Sequence, residues 1–426
     1  MHCLTWRAKF LFFVCMACMI DVSFVSAQEL FTWEECVREA LNNNPDLVSA
    51  REKVNQAKAD KRVTRSAILP QISSQLNGKK SKTATKEAAE TYSYSITGEQ
   101  LLFDGFKTIA DIKSDSKIIT AQEYDYLVTS SDIRLNLRVA FVTLLRAQEL
   151  VVLTKEISER RKQNLELVQL RYEGGREHKG ALLTAQADLA EAEFEVAQAE
   201  RNLFLSQQEL IKEIGWGKRF PIKVKGAFVI HTIAFQKPDI ESLAETNPFL
   251  KELIAKKEAA RFDYNSAQAD FFPQIYLSSS FDKTHSNWPP QDEGWSAGVR
   301  VSFPIFEGGS RLAKTSKAKS QLRQAQADER SGRDGVILTL EETWKSFQDA
   351  GDTVLVKKKF LEAAQERAKI ANTQYSQGLI TFNDWVIIED NLVNATKTYL
   401  NAQADSLIAE ANWIQAKGGI LEYVQD

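Results

Sequence analysis

The chain is written twice. Ile68-Leu69-Pro70-Gln71-Ile72 returns as Phe271-Phe272-Pro273-Gln274-Ile275, and Pro70 and Pro273 stand 203 positions apart. The same offset carries Asn44-Pro45 onto Asn247-Pro248 and Phe103-Asp104-Gly105 onto Phe306-Glu307-Gly308. It also carries Tyr172-x-x-Gly175 onto Tyr375-x-x-Gly378, and Gly215 onto Gly418. Five landmarks in one register mean two structural halves in tandem. The halves are expected at residues 28–217 and 247–418, with a joining patch at 218–246 and a short tail at 419–426.

Each half reads the same way. In the first, Thr32 and Glu35 form a capping-box pattern, Asn42-Asn43-Asn44-Pro45 interrupts the helix, and a second helix starts at Pro45 and stops before Pro70. Two strands follow, at about 71–77 and 91–103. In the latter Tyr92, Tyr94 and Ile96 alternate with Ser93, Ser95 and Thr97. Gly78 to Glu90 reads as a loop carrying Lys79, Lys80, Lys82 and Lys86. The second half alternates more strongly over about 274–282 and 295–303, around a loop at 283–294.

After each strand pair comes a segment of about 70 residues without proline, Phe106 to Gly174 and Gly309 to Gln377. As one helix, each would be roughly 100 Å long. Gly332, Gly335 and Gly351 are places where the second could bend. A further helix is expected over Ala181 to Ile214 and over Phe382 to Lys417. Leu182, Leu189, Val196, Leu203 and Leu210 recur every seventh residue, beside a stripe of Ala185, Ala192, Ala199 and Ser206. Shifted by the repeat, that small stripe becomes Ile388, Ala395, Ala402 and Ala409, with Ala416 extending it. A seven-residue repeat specifies supercoiled helices, and small residues let their backbones approach.

His2, Arg7 and Lys9, then the apolar run Phe10 to Ile20, then Val25-Ser26-Ala27, make residues 1–27 a secretory signal peptide. The mature chain is expected to start at Gln28. Of 54 basic and 57 acidic residues, Arg7, Lys9 and Asp21 leave with the signal, so the net charge is −4 and nothing suggests nucleic acid. Cys3, Cys15 and Cys18 leave too. Cys36 stays alone, so the exported chain rests on packing rather than disulfides, and no cysteine sits in a good lipidation context.

No later stretch offers the roughly 20 apolar residues of a membrane helix. The chain is therefore soluble or crosses a membrane as strands. Alternation alone leaves both open, a soluble sheet packed on one face or a barrel with a wet lumen and an apolar exterior. Export and the long helices favour the barrel. Lipid tolerates no unpaired strand edge, and the smallest closed barrels have about eight strands. Four strands per chain then require several chains to pool them.

Taken together, Asn44-Pro45, Leu69-Pro70-Gln71-Ile72, Leu102-Phe103-Asp104-Gly105 and Arg171-Tyr172-x-x-Gly175 resemble the TolC-like outer-membrane efflux and secretion channels. So do their second copies, Asn247-Pro248, Phe272-Pro273-Gln274-Ile275, Phe303-Pro304-Ile305-Phe306-x-Gly308-Gly309 and Tyr375-x-x-Gly378 with Asp384. The resemblance spans essentially the whole mature chain. It implies a mainly α fold with a transmembrane β-barrel part. Four strands per chain would contribute to a trimeric 12-stranded barrel, continued by long coiled-coil hairpins forming a periplasmic tunnel.

It further implies a homotrimer in outer-membrane lipid, a passive duct without cofactors, fed by an inner-membrane transporter through a periplasmic adaptor. The adaptor would dock on the hairpin tips, here around Tyr172, Gly175, Arg176 and Lys179 and around Tyr375, Gly378, Leu379 and Thr381. Asp384 matches an acidic residue that narrows the periplasmic mouth in such channels, while Ile387 replaces the second. Leu379-Ile380-Thr381-Phe382 fits the family's tip, whereas Arg176-Glu177-His178-Lys179-Gly180 departs from it. Small-molecule efflux is the expected function. The alternatives are the exit duct of a type I protein secretion system and, from another class, a soluble periplasmic coiled-coil scaffold or adaptor. An enzyme is not expected. His178, His231 and His285 show no paired metal spacing, no phosphate-loop motif occurs, and Glu389-Asp390 read as helix-surface charges. All three methionines lie in the signal, so no methionine cluster points to metal cargo.

Overall fold

The computed structural model describes residues 30–84, 86–217, 221–229 and 237–423. The signal-peptide expectation, His231 and residues 218–220 and 230–236 of the joining patch lie outside the described residues.

In chain order the elements are β1 (Leu30–Phe31), α1 (Trp33–Asn43), α2 (Pro45–Ser66), β2 (Gln71–Thr83), β3 (Lys86–Phe103), α3 (Lys107–Glu173) and α4 (Lys179–Ile214). Then follow β4 (Lys223–Val224), α5 (Ile240–Thr246), α6 (Pro248–Ala269), β5 (Gln274–His285), β6 (Asp292–Ser302), α7 (Ser310–Gln377), α8 (Phe382–Ala416) and a 3-10 turn at Leu421–Tyr423. The Thr32–Glu35 capping box forms in both directions, at 3.3 and 2.8 Å.

The two 70-residue segments are uninterrupted helices of 67 and 68 residues. The three glycines in α7 do not break it. At Gly332 the missing side chain makes room for Leu253 of α6, which a Cβ would approach to 2.2 Å.

The repeat survives in three dimensions as a joint. Asn44 caps α2 through Oδ1, which accepts from the Asp46 and Leu47 amides at 3.0 and 3.2 Å. Its Nδ2 donates to the Glu213 carbonyl at the end of α4, at 2.8 Å. Gly215 ends α4 in the left-handed region (φ 88°), where a Cβ would meet the Asn43 carbonyl oxygen at 2.5 Å. One repeat later, Asn247 Oδ1 caps α6, its Nδ2 donates to the Ala416 carbonyl at 2.9 Å, and Gly418 (φ 79°) abuts Pro248. Each short helix thus abuts the end of a hairpin's return arm, α2 with α4 and α6 with α8. Both composites flank α3, and α7 packs on α6 and α8.

Around each joint lies a core, and the two cores are copies. Val37, Ile133, Leu137, Phe141 and Leu210 in the first become Ile240, Val336, Leu340, Trp344 and Trp413 in the second, at the 203 offset. Cys36 is fully buried in the first core, and burial is the main cause that pushes its thiol pKa up to about 12.

The small-residue stripe of α4 is buried as expected, at Ala185, Ala192, Ala199 and Ser206. In α8 the expected stripe is buried at Ala402 and Ala416, but the seam runs differently nearer the tip. Phe382, Trp385, Glu389 and Leu392 are buried, whereas Ile388 and Ala395 are only half-buried. There the large Trp385 ring is buried between α7 and α8, stacked on Tyr375.

β2, β3, β5 and β6 form one antiparallel sheet in that order, so β3–β5 pairing joins the halves. Each strand runs directly into or out of α2, α3, α6 or α7. The strands extend past the expected ends, through much of the lysine-bearing loop, where Lys80 pairs with Glu90 at 2.7 Å. Alternation marks only the stretch with one apolar face. Beyond it the hairpin continues because its backbone groups still pair. In the joining patch β4 pairs in parallel with β1 from the start of the chain's described residues, and Gln148 pins it, its amide donating to the Val224 carbonyl and accepting from the Val224 N–H.

Candidate functional site

Two surfaces bear on function, the sheet and the hairpin tips. In the sheet, register aligns the alternation of all four strands. Ser73, Thr97, Ser280 and Ser296 form one row, with Ser73–Thr97 and Ser280–Ser296 hydroxyl contacts at 2.7 and 2.9 Å. Arg300 pairs with Glu99 on the same face at 2.7 Å. One residue along, Ile96, Phe281 and Trp295 form a row on the opposite face, and Leu277 and Val299 sit opposite each other there. The polar face lines a hollow of about 590 Å³ that includes Gln71, Ser73, Thr97, Glu99, Ser278 and Ser280. The other face leaves Trp295 80% and Ile72 77% exposed. A sheet polar on its hollow side and apolar on the other has the two-faced pattern of a lipid-facing strand.

Among the described residues, β2 and β6 each have one unpaired edge. The helical layer also has two open sides. Phe194, Phe204 and Leu205 of α4 and Leu355, Val356 and Phe360 of α7 are exposed, and these helices are the outermost.

The tips lie side by side. Tyr375 stacks on Trp385 (4.3 Å, 9°), and the Arg171 guanidinium lies over the Tyr375 ring at 4.5 Å. Arg171 also donates to the Tyr375 carbonyl at 2.8 Å, and the Tyr375 hydroxyl donates to Glu177 Oε2 at 3.0 Å. Trp385 Nε1 donates to Asn372 at 2.6 Å. Burial first, then the Glu177 hydrogen bond, raises the Tyr375 pKa. Tyr375 is 0% exposed, so it holds the tips together and offers no surface to a partner, a correction to its place among the docking residues. Within the first turn, the Glu177 side chain is turned inward and only 10% exposed.

The remaining tip residues are outward. Arg176 and Lys179 are exposed, Tyr172 is partly so, and Gly175 turns the chain at φ 69° with open space around it. Gly378 ends α7 at φ 78° and Leu379 is 68% exposed. Thr381 caps α8, accepting from the Asp384 amide at 3.2 Å, while its hydroxyl donates to the Asp384 carboxylate at 2.7 Å. Asp384 is exposed in the first turn of α8.

Farther from the tips, Glu389 is not a surface charge. It is 1% exposed and pairs with Arg160 of α3 at 3.0 Å, and its other oxygen has no partner among the described residues. Arg161 binds Asp390 beside it, and Asp188 lies near, its pKa raised chiefly by burial. The signal that would have found this network is the adjacency of α3 and α8, which sequence spacing does not carry.

A sequence profile described as outer membrane efflux protein matches residues 36–215 and again 240–419. The chain belongs to the outer membrane efflux protein family. The two matched spans are the two halves of the repeat. Among its relatives are the probable outer membrane lipoprotein SilC of Salmonella typhimurium, 23% identical, and the outer membrane efflux protein BepC of Brucella suis, 21% identical. SilC is matched over 90% of this chain and 85% of its own length, BepC over 89% and 84%. A crystal structure of CusC shares the fold with a TM-score of 0.82 over 90% of this chain and 91% of that one, at 19% identity. This outer membrane efflux protein is thus an outer-membrane channel component whose long helices extend into the periplasm. The family is one of transport ducts.

Proposed function

We propose that three copies of this chain close into a twelve-stranded barrel and a continuous helical tunnel, forming the passive outer-membrane exit of a tripartite efflux pump for small molecules. The observation that carries this is the pair of open sides. Among the described residues the sheet ends in unpaired edges at β2 and β6, and the outer helices α4 and α7 expose apolar side chains. An unpaired edge is not tolerated in lipid, and four strands cannot close around a lumen. Copies placed edge to edge seal both layers with one motion. A soluble coiled-coil scaffold would leave the Trp295–Ile72 face of the sheet in water without a use.

An inner-membrane transporter supplies the energy, and a periplasmic adaptor docks on the tips through Tyr172, Gly175, Arg176, Lys179, Gly378, Leu379 and Thr381. Tyr375 supports that surface from beneath. Asp384 sits in the turn that borders the mouth, where three copies bring three carboxylates around one axis and disfavour anions. The test is the conductance of the purified channel in a planar bilayer, with the mass of the complex measured in the same detergent. Three chains per conducting unit, with cation preference reduced by Asp384→Asn, are the expected results. A non-conducting monomer would overturn the proposal.

A further inference from the structure

The two tips of one chain carry opposite electrostatic characters, and the structure explains how. The first turn is Arg176-Glu177-His178-Lys179, nominally one acid among three basic residues. Its only acid is withdrawn. Glu177 folds inward to accept from the Tyr375 hydroxyl and lies 3.9 Å from Arg171, which leaves Arg176, His178 and Lys179 exposed. His178 is held at the cap of α4, where Nδ1 accepts from the Ala181 amide at 3.1 Å. Lys179 then stands at the first position of a 36-residue helix whose first turn holds no acidic residue. Helix N-termini are themselves positive and favour anions, so a lysine there opposes the local field. The second tip does the reverse. Its first turn carries Asp384 at the favourable end of α8, and the apolar Leu379 beside it is exposed.

We infer that the first tip reads negative charge, so that the adaptor hairpin seated against it presents acidic side chains at its turn, while the face it turns to the second tip is apolar. This rests on the docking proposed above and adds the chemistry of the partner. Charge complementarity is the argument, since the exposed Arg176 and Lys179 outnumber the one exposed acid beside them, Glu173 at the end of α3, and leave the turn a net positive surface that a basic or neutral hairpin gains nothing from meeting. The arrangement sets partner choice by exclusion as well as attraction, because an adaptor with a basic turn meets like charge. Leu379 gives adhesion of a kind many apolar hairpins share, and the first tip supplies the discrimination.

The test uses the full channel in lipid nanodiscs and, as probe, the adaptor purified after crosslinking to it in its own cells. Binding is measured against sodium chloride for the parent channel, for the pair R176E/K179E and for L379D. The expected result is a roughly ten-fold weakening in R176E/K179E with a flatter salt dependence, and recovery when acidic residues of the adaptor turn are changed to lysine. L379D abolishes binding to either adaptor. If R176E/K179E binds as tightly as the parent while L379D fails, the inference is overturned and tip docking stands. If neither change affects binding, docking at the tips itself is wrong. Parent channel that captures phosphatidylglycerol vesicles through Arg176 and Lys179, yet ignores the charge of the adaptor turn, would reassign the patch to a lipid surface and overturn the inference.

Discussion

The joint at Asn44 and Gly215 gives the sharpest stability test. Replacing Gly215 by alanine perturbs it in two ways. The residue sits at φ 88°, where a side chain costs about 1–2 kcal/mol. The added Cβ also meets the Asn43 carbonyl oxygen at 2.5 Å and Asn44 Cα at 2.8 Å, both backbone atoms that cannot rotate away. Overpacking of that kind costs about 1–3 kcal/mol. Together about 2–5 kcal/mol is expected, which is roughly 30-fold to several thousand-fold in a local opening equilibrium. Gly175→Ala is the control. It has φ 69° but nothing within 4 Å of the new Cβ, so only the first cost of about 1–2 kcal/mol applies. Native-state hydrogen exchange reads both sites, through the amides of Ile211 to Ile214 for one and Leu170 to Glu173 for the other. The α4 end should lose protection by at least about five times more than the α3 end. Equal losses would mean that the contact with Asn43 is not a constraint and that the joint reasoning is wrong.

Other predictions address the core, the sheet and the tip. Cys36 should resist thiol reagents in the folded channel at pH 8 and react only on unfolding, and labelling at the free-thiol rate would contradict its burial. Because its pKa is raised from 9.0 to about 12, its contribution is fully kept below pH 9 and is lost between pH 9 and 12 at up to about 1.4 kcal/mol per pH unit. Comparison with Cys36→Ala isolates that slope, and identical pH profiles would refute it. On the sheet, Val299→Arg should cost about 2–4 kcal/mol and block insertion, whereas Ser280→Arg on the polar face should insert. Reversed outcomes in a folding assay with lipid vesicles would exchange the lipid and lumen faces. At the tip, Tyr375→Phe removes the hydrogen bond to Glu177, worth about 1.5–3 kcal/mol to a charged acceptor. Proteolysis at residues 174–178 should accelerate by at least ten-fold, and unchanged cleavage would show that the bond does not tie the tips.

Much of this architecture was legible because the repeated residues act locally. Asparagine before proline starts a helix, glycine with positive φ ends one, and alternation marks a strand wherever two faces meet different solvents. Those signals located the helices to within a few residues and revealed the duplication. Their purpose was not legible. Asn44 and Gly215 meet only because α2 abuts the end of α4, which spacing along the chain does not state. Tyr375 carries the family's tip pattern, yet stacking on Trp385 buries it. Glu389 looks like any helix-surface acid until α3 brings Arg160 against it. The hairpin ends were missed for another reason, since their side chains are polar on both faces and only backbone pairing continues the strand.

The central claim is that one chain cannot seal itself and that its open edges meet those of its copies. In a Cys36→Ala background, one cysteine on β2, at Ser73 or Gln75, combined with one on β6, at Ser296 or Gly298, reads this directly after oxidation in native membranes. The account predicts a covalent ladder of two and then three chains, ending there. A product that stays a single chain would mean that β2 and β6 of one polypeptide close on each other or on nothing, and it would contradict the account.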